Sequence, residues 1–556
     1  MSRRYLLDQN KTPLYDAVRK FADWDPVPFF IPSHKMGSGI DPRFKSFVGE
    51  NIFRIDLSEV RWTDDFHGAS SSIKEAQELA ADAWGAAQSH FLINGTSGGI
   101  IASICAVCGE GDRIIVPRNA HKSAVYGLVV SGAEPVYVMP EIDSGRGIVG
   151  GFSPAALEQA LEQYSGKRHR SASQLHPSVA ECTGIKHTGV KAVFTVSPTY
   201  HGVMSDTEAL AEIAHRQNAV LISDEAHGSH VYFSERLPKG ALELGADIVC
   251  QSTHKMSGSL TQSSILHLGF GAKTRVDFDR VSANLSMIQS TSPSYILLAS
   301  LDLARSYIAT QGEALLGGVQ DALEKAREEI TALSGIEALG NTIEAAAGAF
   351  LAGSNGVSDY EPTRLAVSAR ALGIDGYTLF RLLREQYDIE CEFADPYWCV
   401  CVAGLGTTRA HTEALTSALA EISCKYGRNC DETPCPLASV LPPIPTLRLT
   451  PREAWFAVKE TVPFESARGR ISAEMVVPYP PGIPVLCPGD EITDDVHGFL
   501  AGQKAEGRHL HCAAGDNLET IIAVKQKAWI RSSAPKNPSI SPCAPAKIYL
   551  GGARER

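Results

Sequence analysis

Three His-Lys pairs occur in the chain, at 34–35, 121–122 and 254–255. In QSTHKMSGSLTQ, Lys255 comes a few residues after the apolar run of ADIVC, and Ser252, Thr253 and His254 lead directly into it. A lysine that forms a Schiff base must be an amine at neutral pH, and burial with nearby positive charge lowers its pKa. A position just beyond a buried strand meets that need. Upstream, in VLISDEAHGSH, an apolar run ends on Asp224. Ligands of open α/β sheets bind at the carboxyl ends of strands, and a carboxylate buried there needs a partner. A protonated ring nitrogen would serve; an N-cap for the next helix is the plainer alternative. LINGTSGGI, residues 92–100, runs from a short apolar strand through glycines into a helix. Glycines allow close backbone approach, and helix amides with the hydroxyls of Thr96 and Ser97 suit a phosphate. Ser252 and His254 could bond a phosphate from the Lys255 loop.

Each motif alone has a bland reading: a surface lysine, a capping aspartate, a glycine-rich helix start. Together they make the minimal kit for pyridoxal 5′-phosphate. The loop anchors the phosphate, Asp224 keeps the ring nitrogen protonated, and Lys255 attaches covalently. A metal is not expected. His227, His230 and Glu225 lack a further well-spaced ligand set, and Cys105–Cys108 is a lone C-x-x-C pair in what reads as a buried helix.

Alternating strands and helices must position these residues. SHFLI, DRIIVP, EPVYVMP, KAVFTVSP, NAVLISDEA and ADIVCQS are short, nearly continuous apolar runs, most of them separated by helical stretches such as TEALAEIAHRQ. That pattern predicts an α/β domain over 66–309 with a mostly parallel sheet flanked by helices. Residues 1–65 read as a loop-rich segment, and about 165–189 as a polar, basic surface insertion. Residues 310–526 read as a smaller α+β domain that begins with a long helix. Residues 527–556 read as a disordered tail.

Bulk composition narrows the function classes. The 556 residues carry a formal net charge of −12, with 44% hydrophobic and 21% charged residues. No globally basic face for nucleic acid is expected, and no membrane span or signal peptide is visible. The 13 cysteines form no framework and read as free thiols in a reducing cytoplasm.

At these residues the chain resembles the ornithine/lysine/arginine decarboxylases of fold type I, the aspartate-aminotransferase-like group. The likeness covers about residues 5–525 and rests on QNKTPLYDA, IPSHKMGSG, INGTSGG, VPRNAHKS, SPTYHGV, SDEAHGSH, QSTHKMSGSLTQ, TSPSYILLASLD and AEMVVPYPPGIPVLCPGD in the family's order. It implies that Lys255 is the Schiff-base lysine and that Asp224 pairs with the ring nitrogen. His121 would stack on the ring and Ala226 pack on its other face. Thr96, Ser97, Ser252 and His254 would hold the phosphate, and His227 would lie near the phenolic oxygen. Thr291 and Ser292 would reach a partner subunit's cofactor, which implies a homodimer or larger homo-oligomer. The compact start implies the short subgroup, without an N-terminal wing domain. Two departures stand out: the insertion near 165–189 is long, and Pro-Ser-His-Lys replaces the usual Pro-Gly-His-Lys at 32–35.

The implied reaction is α-decarboxylation of a basic amino acid, arginine or lysine ahead of ornithine, to agmatine, cadaverine or putrescine. Glu474 is a candidate for the substrate's distal cation, with a structural ion pair as the alternative. Lys255 or His227 would supply the proton at the α-carbon. The rivals are another fold-type-I enzyme, an aminotransferase or aldolase, and a catalytically silent regulatory paralogue.

Overall fold

Apolar runs that a parallel sheet buries on both faces make up the centre of the fold. The structure, a computed structural model, describes residues 5–143, 145–164, 189–340, 356–427, 441–479, 483–507, 509–513, 515 and 517–525. The expected insertion (Gly189 apart) and the expected tail lie outside them.

Among the described residues the central sheet has seven strands: β1 Gln88–Leu92, β2 Arg113–Pro117, β3 Glu134–Val138, β4 Val190–Val196, β5 Val220–Asp224, β6 Ile248–Gln251 and β7 Ser264–Leu268. Their spatial order is β1-β7-β6-β5-β4-β2-β3. The run from β6 to β3 is parallel, and β7 is antiparallel to both its neighbours. Successive side chains alternate between the faces. Ile114, Val116 and Ile222 pack with the helices Gly95–Val107 and Lys122–Ser131, whereas Ile115, Val193 and Leu221 pack with Pro154–Tyr164 and Thr207–Arg216.

The sequence did not signal β7, whose SILHL carries a serine and a histidine. Burial of His267 is made tolerable by two partners: Nδ1 lies 2.7 Å from Ser89 Oγ and Nε2 lies 3.1 Å from Gln251 Oε1. Its pKa is pushed down to about 3 by burial, so the ring is a neutral link between strands.

The N-terminal stretch is less loop-rich than expected, because Pro13–Trp24 is a helix with Leu14, Val18, Phe21 and Ala22 buried. Its start docks on the long helix Tyr295–Thr331. Asp302 Oδ2 accepts from the Leu14 and Tyr15 amides, and Arg305, ion-paired to Asp302, donates to the Gln9 carbonyl. These bonds account for the QNKTPLYDA motif as an anchor for the chain start.

The long helix leads to a four-stranded antiparallel sheet, ordered Glu337–Ala338, Arg364–Ser368, Cys399–Val402, Phe393–Ala394. Helices Gly376–Tyr387 and Arg409–Tyr426 cover it. Residues 441–525 then form a separate core around Phe464, Val476, Leu486, Val496, Leu500 and Ile521. A buried clasp joins this last unit to the large domain. Arg118, just after β2, donates to Asp490 Oδ2 at 2.8 Å and to the Val485 carbonyl at 2.9 Å. Both side chains are almost wholly buried, so removing one partner strands the other's charge. Asp490→Ala is expected to lower unfolding free energy by about 3–5 kcal/mol, measured by denaturant titration. A loss under 1 kcal/mol would show the clasp to be dispensable.

Candidate active site

Strand direction brings the three motifs to one edge. β1, β5 and β6 all end there, and β7 starts there, since Leu92 pairs with Ser264 and Asp224 with Cys250. Gly95 takes φ +68°, and a Cβ on Gly99 would lie 2.6 Å from Leu92 Cδ1. Glycine is therefore required both to turn into the helix and to seat it on β1. Thr96, at the start of that helix, has its Oγ1 2.6 Å from Ser252 Oγ and 3.0 Å from Ser264 Oγ. Ser97, next along the first turn, is exposed. His254 meets the Ser263 carbonyl through Nδ1 at 2.7 Å. A carbonyl can only accept, so this nitrogen carries the proton and Nε2 is left as the second polar end of the ring.

Lys255 lies in the short helix Thr253–Met256 that follows β6. Its Nζ is 3.1 Å from His227 Nε2 and sits over the Tyr200 ring, 5.8 Å from the centroid. Although the residue is exposed in the single chain, its pKa is held below the ordinary lysine value. Desolvation of the amine is the main cause; Arg364 adds to it, while Asp224 and Glu392 oppose it. Asp224 is buried and accepts the Ala226 amide at 3.1 Å. Burial raises its pKa to about 6, against the charge of Lys255 and the bond from Ala226. His121 caps the helix Lys122–Ser131 through Nδ1, which accepts from the Ser123 amide. Its pKa is pushed down to about 4 by desolvation and by Lys255 and Lys122. Lys255 thus influences Asp224, His121, His227 and His254 alike. Ala226 is half-buried beside them.

The residues fit pyridoxal 5′-phosphate. A buried carboxylate with one backbone donor suits a cationic ring N–H, facing hydroxyls at a helix start suit a phosphate, and an amine held below its ordinary pKa suits an aldehyde. The other two lysines are set apart. Lys35 donates to the Phe30 carbonyl, and Lys122 is exposed on a helix start. Thr291 and Ser292 are exposed in the loop before Tyr295–Thr331. Glu474 is buried, and its Oε1 accepts the Ile522 amide at 2.5 Å, a bond within the unit at 441–525. Glu225 and His230 do not converge on a metal. Glu225 accepts from Tyr232, Ala241 and Gln251, and His230 Nε2 lies 3.1 Å from Glu361 Oε1.

Sequence reading missed Tyr200 and Arg364. Tyr200 lies in SPTYHGV, a motif with no assigned role, and its ring packs on His227 at 4.6 Å and on Phe393 at 5.3 Å. Arg364 comes from the C-terminal antiparallel sheet and donates to both Nδ1 and the carbonyl of His227 at 3.0 Å. Nothing local to its sequence marks that contact.

Comparison with known proteins identifies the family. Residues 12–411 match the family model for the Orn/Lys/Arg decarboxylase major domain, and residues 438–510 match that for its C-terminal domain. The chain belongs to the Orn/Lys/Arg decarboxylase family. Within that family, arginine decarboxylase of Halalkalibacterium halodurans is 39% identical over 94% of this chain and 99% of its own length. Arginine decarboxylase of Bacillus subtilis is 38% identical over 94% of this chain and 100% of its own length. Family architecture is seen in the constitutive lysine decarboxylase of E. coli, with TM-score 0.76 at 20% identity, covering 93% of this chain and 82% of that one. The fold expected from the sequence is thus the one observed: a mostly parallel sheet flanked by helices, with smaller α+β parts after it.

The buried Asp224 has a cost that can be measured. Its raised pKa means that the folded protein holds a proton the unfolded chain releases between pH 3.8 and about 6. Stability from this group is present below that window and lost above it. The rise from 3.8 to about 6 corresponds to about 3 kcal/mol at neutral pH. Cofactor-free Asp224→Asn is therefore expected to be more stable than wild type at pH 7, with the gap closing as pH falls toward 4. Denaturant midpoints across that range check it; a pH-independent gap would refute the assignment.

Proposed function

We propose that the protein decarboxylates arginine with pyridoxal 5′-phosphate, releasing agmatine and carbon dioxide. The observation that carries this reading is the Lys255 amine, 3.1 Å from His227 Nε2 and within electrostatic reach of buried Asp224, at the edge where Thr96 and Ser252 face a helix start. Arginine is favoured over lysine because relatives named arginine decarboxylase match at 38–39% identity over 94% of the chain.

When bound, the cofactor supplies the electron-accepting ring that takes up the pair left by the departing carboxylate. The chain's residues do the rest. Asp224 accepts the ring N–H, and that cation is what makes its buried charge favourable. Thr96, Ser97, Ser252 and His254 bind the phosphate. His121 and Ala226 hold the ring plane from its two faces. Tyr200, packed on Phe393, lies against the Lys255 amine as an aromatic face for the ring end of the site. Lys255 Nζ or His227 Nε2 holds the proton delivered to the α-carbon. Glu392, exposed and acting on Lys255, is a second carboxylate besides Glu474 for the substrate's distal cation.

A second copy of the chain completes this reading. Thr291 and Ser292 are exposed, as are Phe29 at 93% and Phe47 at 90%. Apolar exposure of that extent supports burial against a partner, and a closed homodimer or larger assembly would supply it.

Two measurements test the function. Given arginine, lysine and ornithine together, purified protein with pyridoxal 5′-phosphate is expected to form agmatine chiefly. Keto acid without amine would identify an aminotransferase, and no product would favour a silent paralogue. Borohydride reduction followed by peptide mass spectrometry is expected to place the cofactor's mass on Lys255, and Lys255→Ala to lose both that label and the visible absorbance. A label on another lysine would overturn the assignment.

A further inference from the structure

A fully buried chain of polar side chains continues inward from Lys255. His227 Nε2 faces Lys255 Nζ at 3.1 Å, and its Nδ1 faces Arg364 Nη2 at 3.0 Å. The same Nη2 donates to the His227 carbonyl, also at 3.0 Å. Arg364 Nη1 lies 3.3 Å from Glu361 Oε2 and 3.2 Å from Thr363 Oγ1. Glu361 in turn accepts from the Thr363 amide at 2.8 Å, the Thr363 hydroxyl at 2.8 Å and His230 Nε2 at 3.1 Å. Arg364, Glu361 and His230 are 0% exposed. Beyond Lys255 and His227, its members belong to no part of the cofactor kit read from the sequence.

Proton inventory fixes its direction. A guanidinium has donors and no acceptor, and it stays charged in proteins. Where it meets His227 Nδ1, that nitrogen must accept. The ring beside a buried cation is neutral, so its one proton resides on Nε2, the atom aimed at Lys255. An N–H pointing at Nζ needs a lone pair there, which an amine has and an ammonium lacks. We propose that Arg364 is a positioning residue that locks His227 in the Nε2–H form, so that His227 donates a hydrogen bond to Lys255 and favours its amine form. This inference rests on Lys255 being the cofactor lysine and deepens that reading. It also separates two roles that the sequence left open. A neutral imidazole clamped at Nδ1 is a hydrogen-bond donor, not a source of a mobile proton, so the proton for the α-carbon travels with Lys255.

The supporting details are consistent with it. Glu361 has its pKa brought down to about 2 although burial opposes this, because His230, Arg364 and Thr363 stabilise its charge. It therefore stays ionised and balances Arg364. His227 is kept well below the ordinary histidine value by burial first, then by Lys255 and Arg364. The two-point grip on its ring and carbonyl fixes orientation as well as tautomer, in the way that outer partners orient the working ligands of other sites.

Nitrogen-15 spectra of histidine-labelled protein test the tautomer directly, with His227→Gln to assign the signal. In the wild-type protein before cofactor is added, His227 is expected to show a protonated Nε2 and an unprotonated Nδ1. Arg364→Met, which removes the donors, is expected to mix the two tautomers. It should lower kcat about tenfold or more while KM changes less than about threefold, the scale of losing one supporting hydrogen bond. Arg364→Lys, which retains a cationic donor, should recover part of the Nε2–H signal and of kcat. A protonated Nδ1 in the wild type, or an unchanged tautomer in a folded Arg364→Met, would overturn the inference. The wild-type spectrum decides the point even if the variants do not fold. A borohydride label on Lys255 with a protonated Nδ1 on His227 would defeat this inference alone. No label on Lys255 would defeat the cofactor reading beneath it, whatever the spectrum shows.

Discussion

Keeping a lysine as an amine beside a buried carboxylate is the constraint from which the rest of this structure follows. Lys255 and Asp224 attract each other as ions, and that attraction would draw a proton onto the lysine. Desolvation works the other way on both groups, and Arg364 adds positive charge near Nζ. The parallel strands β5 and β6 deliver the two residues to one edge in fixed register. Helices on both faces bury the strands that lead to that edge. The C-terminal sheet adds a cation that works in the same direction as desolvation on Lys255. Large domain and C-terminal sheet are thus joined at the site by an electrostatic need as much as by packing.

Glu361 and Arg364 show how such a charge is maintained out of water. An isolated buried guanidinium would be costly. Here Arg364 is paired with Glu361, and Glu361 has further donors in Thr363 and His230. The network is closed except at a few atoms: Arg364 Nε and His230 Nδ1 are buried without a hydrogen-bond partner. Such unsatisfied atoms subtract from stability. Their presence next to the site fits a region arranged for chemistry before stability.

Legibility of the sequence divided along physical lines. Asp224, Lys255 and the 92–100 loop could be found because each follows its own apolar strand, and parallel topology gathers strand ends at one place. His227 was visible through its neighbour Asp224, but its tautomer was not. Arg364 is 137 residues away in sequence from His227 and arrives from a second sheet, so no local pattern announces it. Tyr200 was quoted within a motif, yet its place over Lys255 depends on how that loop leaves β4. Strand β7 escaped notice because polar pairs, not apolar residues, fill part of its buried face. Helix Pro13–Trp24 escaped because its start is capped by Asp302, nearly three hundred residues on.

Arg118 lies three residues before His121 and is clasped by Asp490 from the unit at 441–525. The loop that presents His121 to the site is therefore tethered to a module with its own core. Pulling that module away would strip Arg118 of its counter-charge in the same motion that loosens the His121 loop. Peeling of the C-terminal module and disorder of the His121 loop are then one cooperative event. Amide exchange in the two regions would share a single opening free energy, and a chain cut short before residue 441 would lose the tether that steadies the His121 loop.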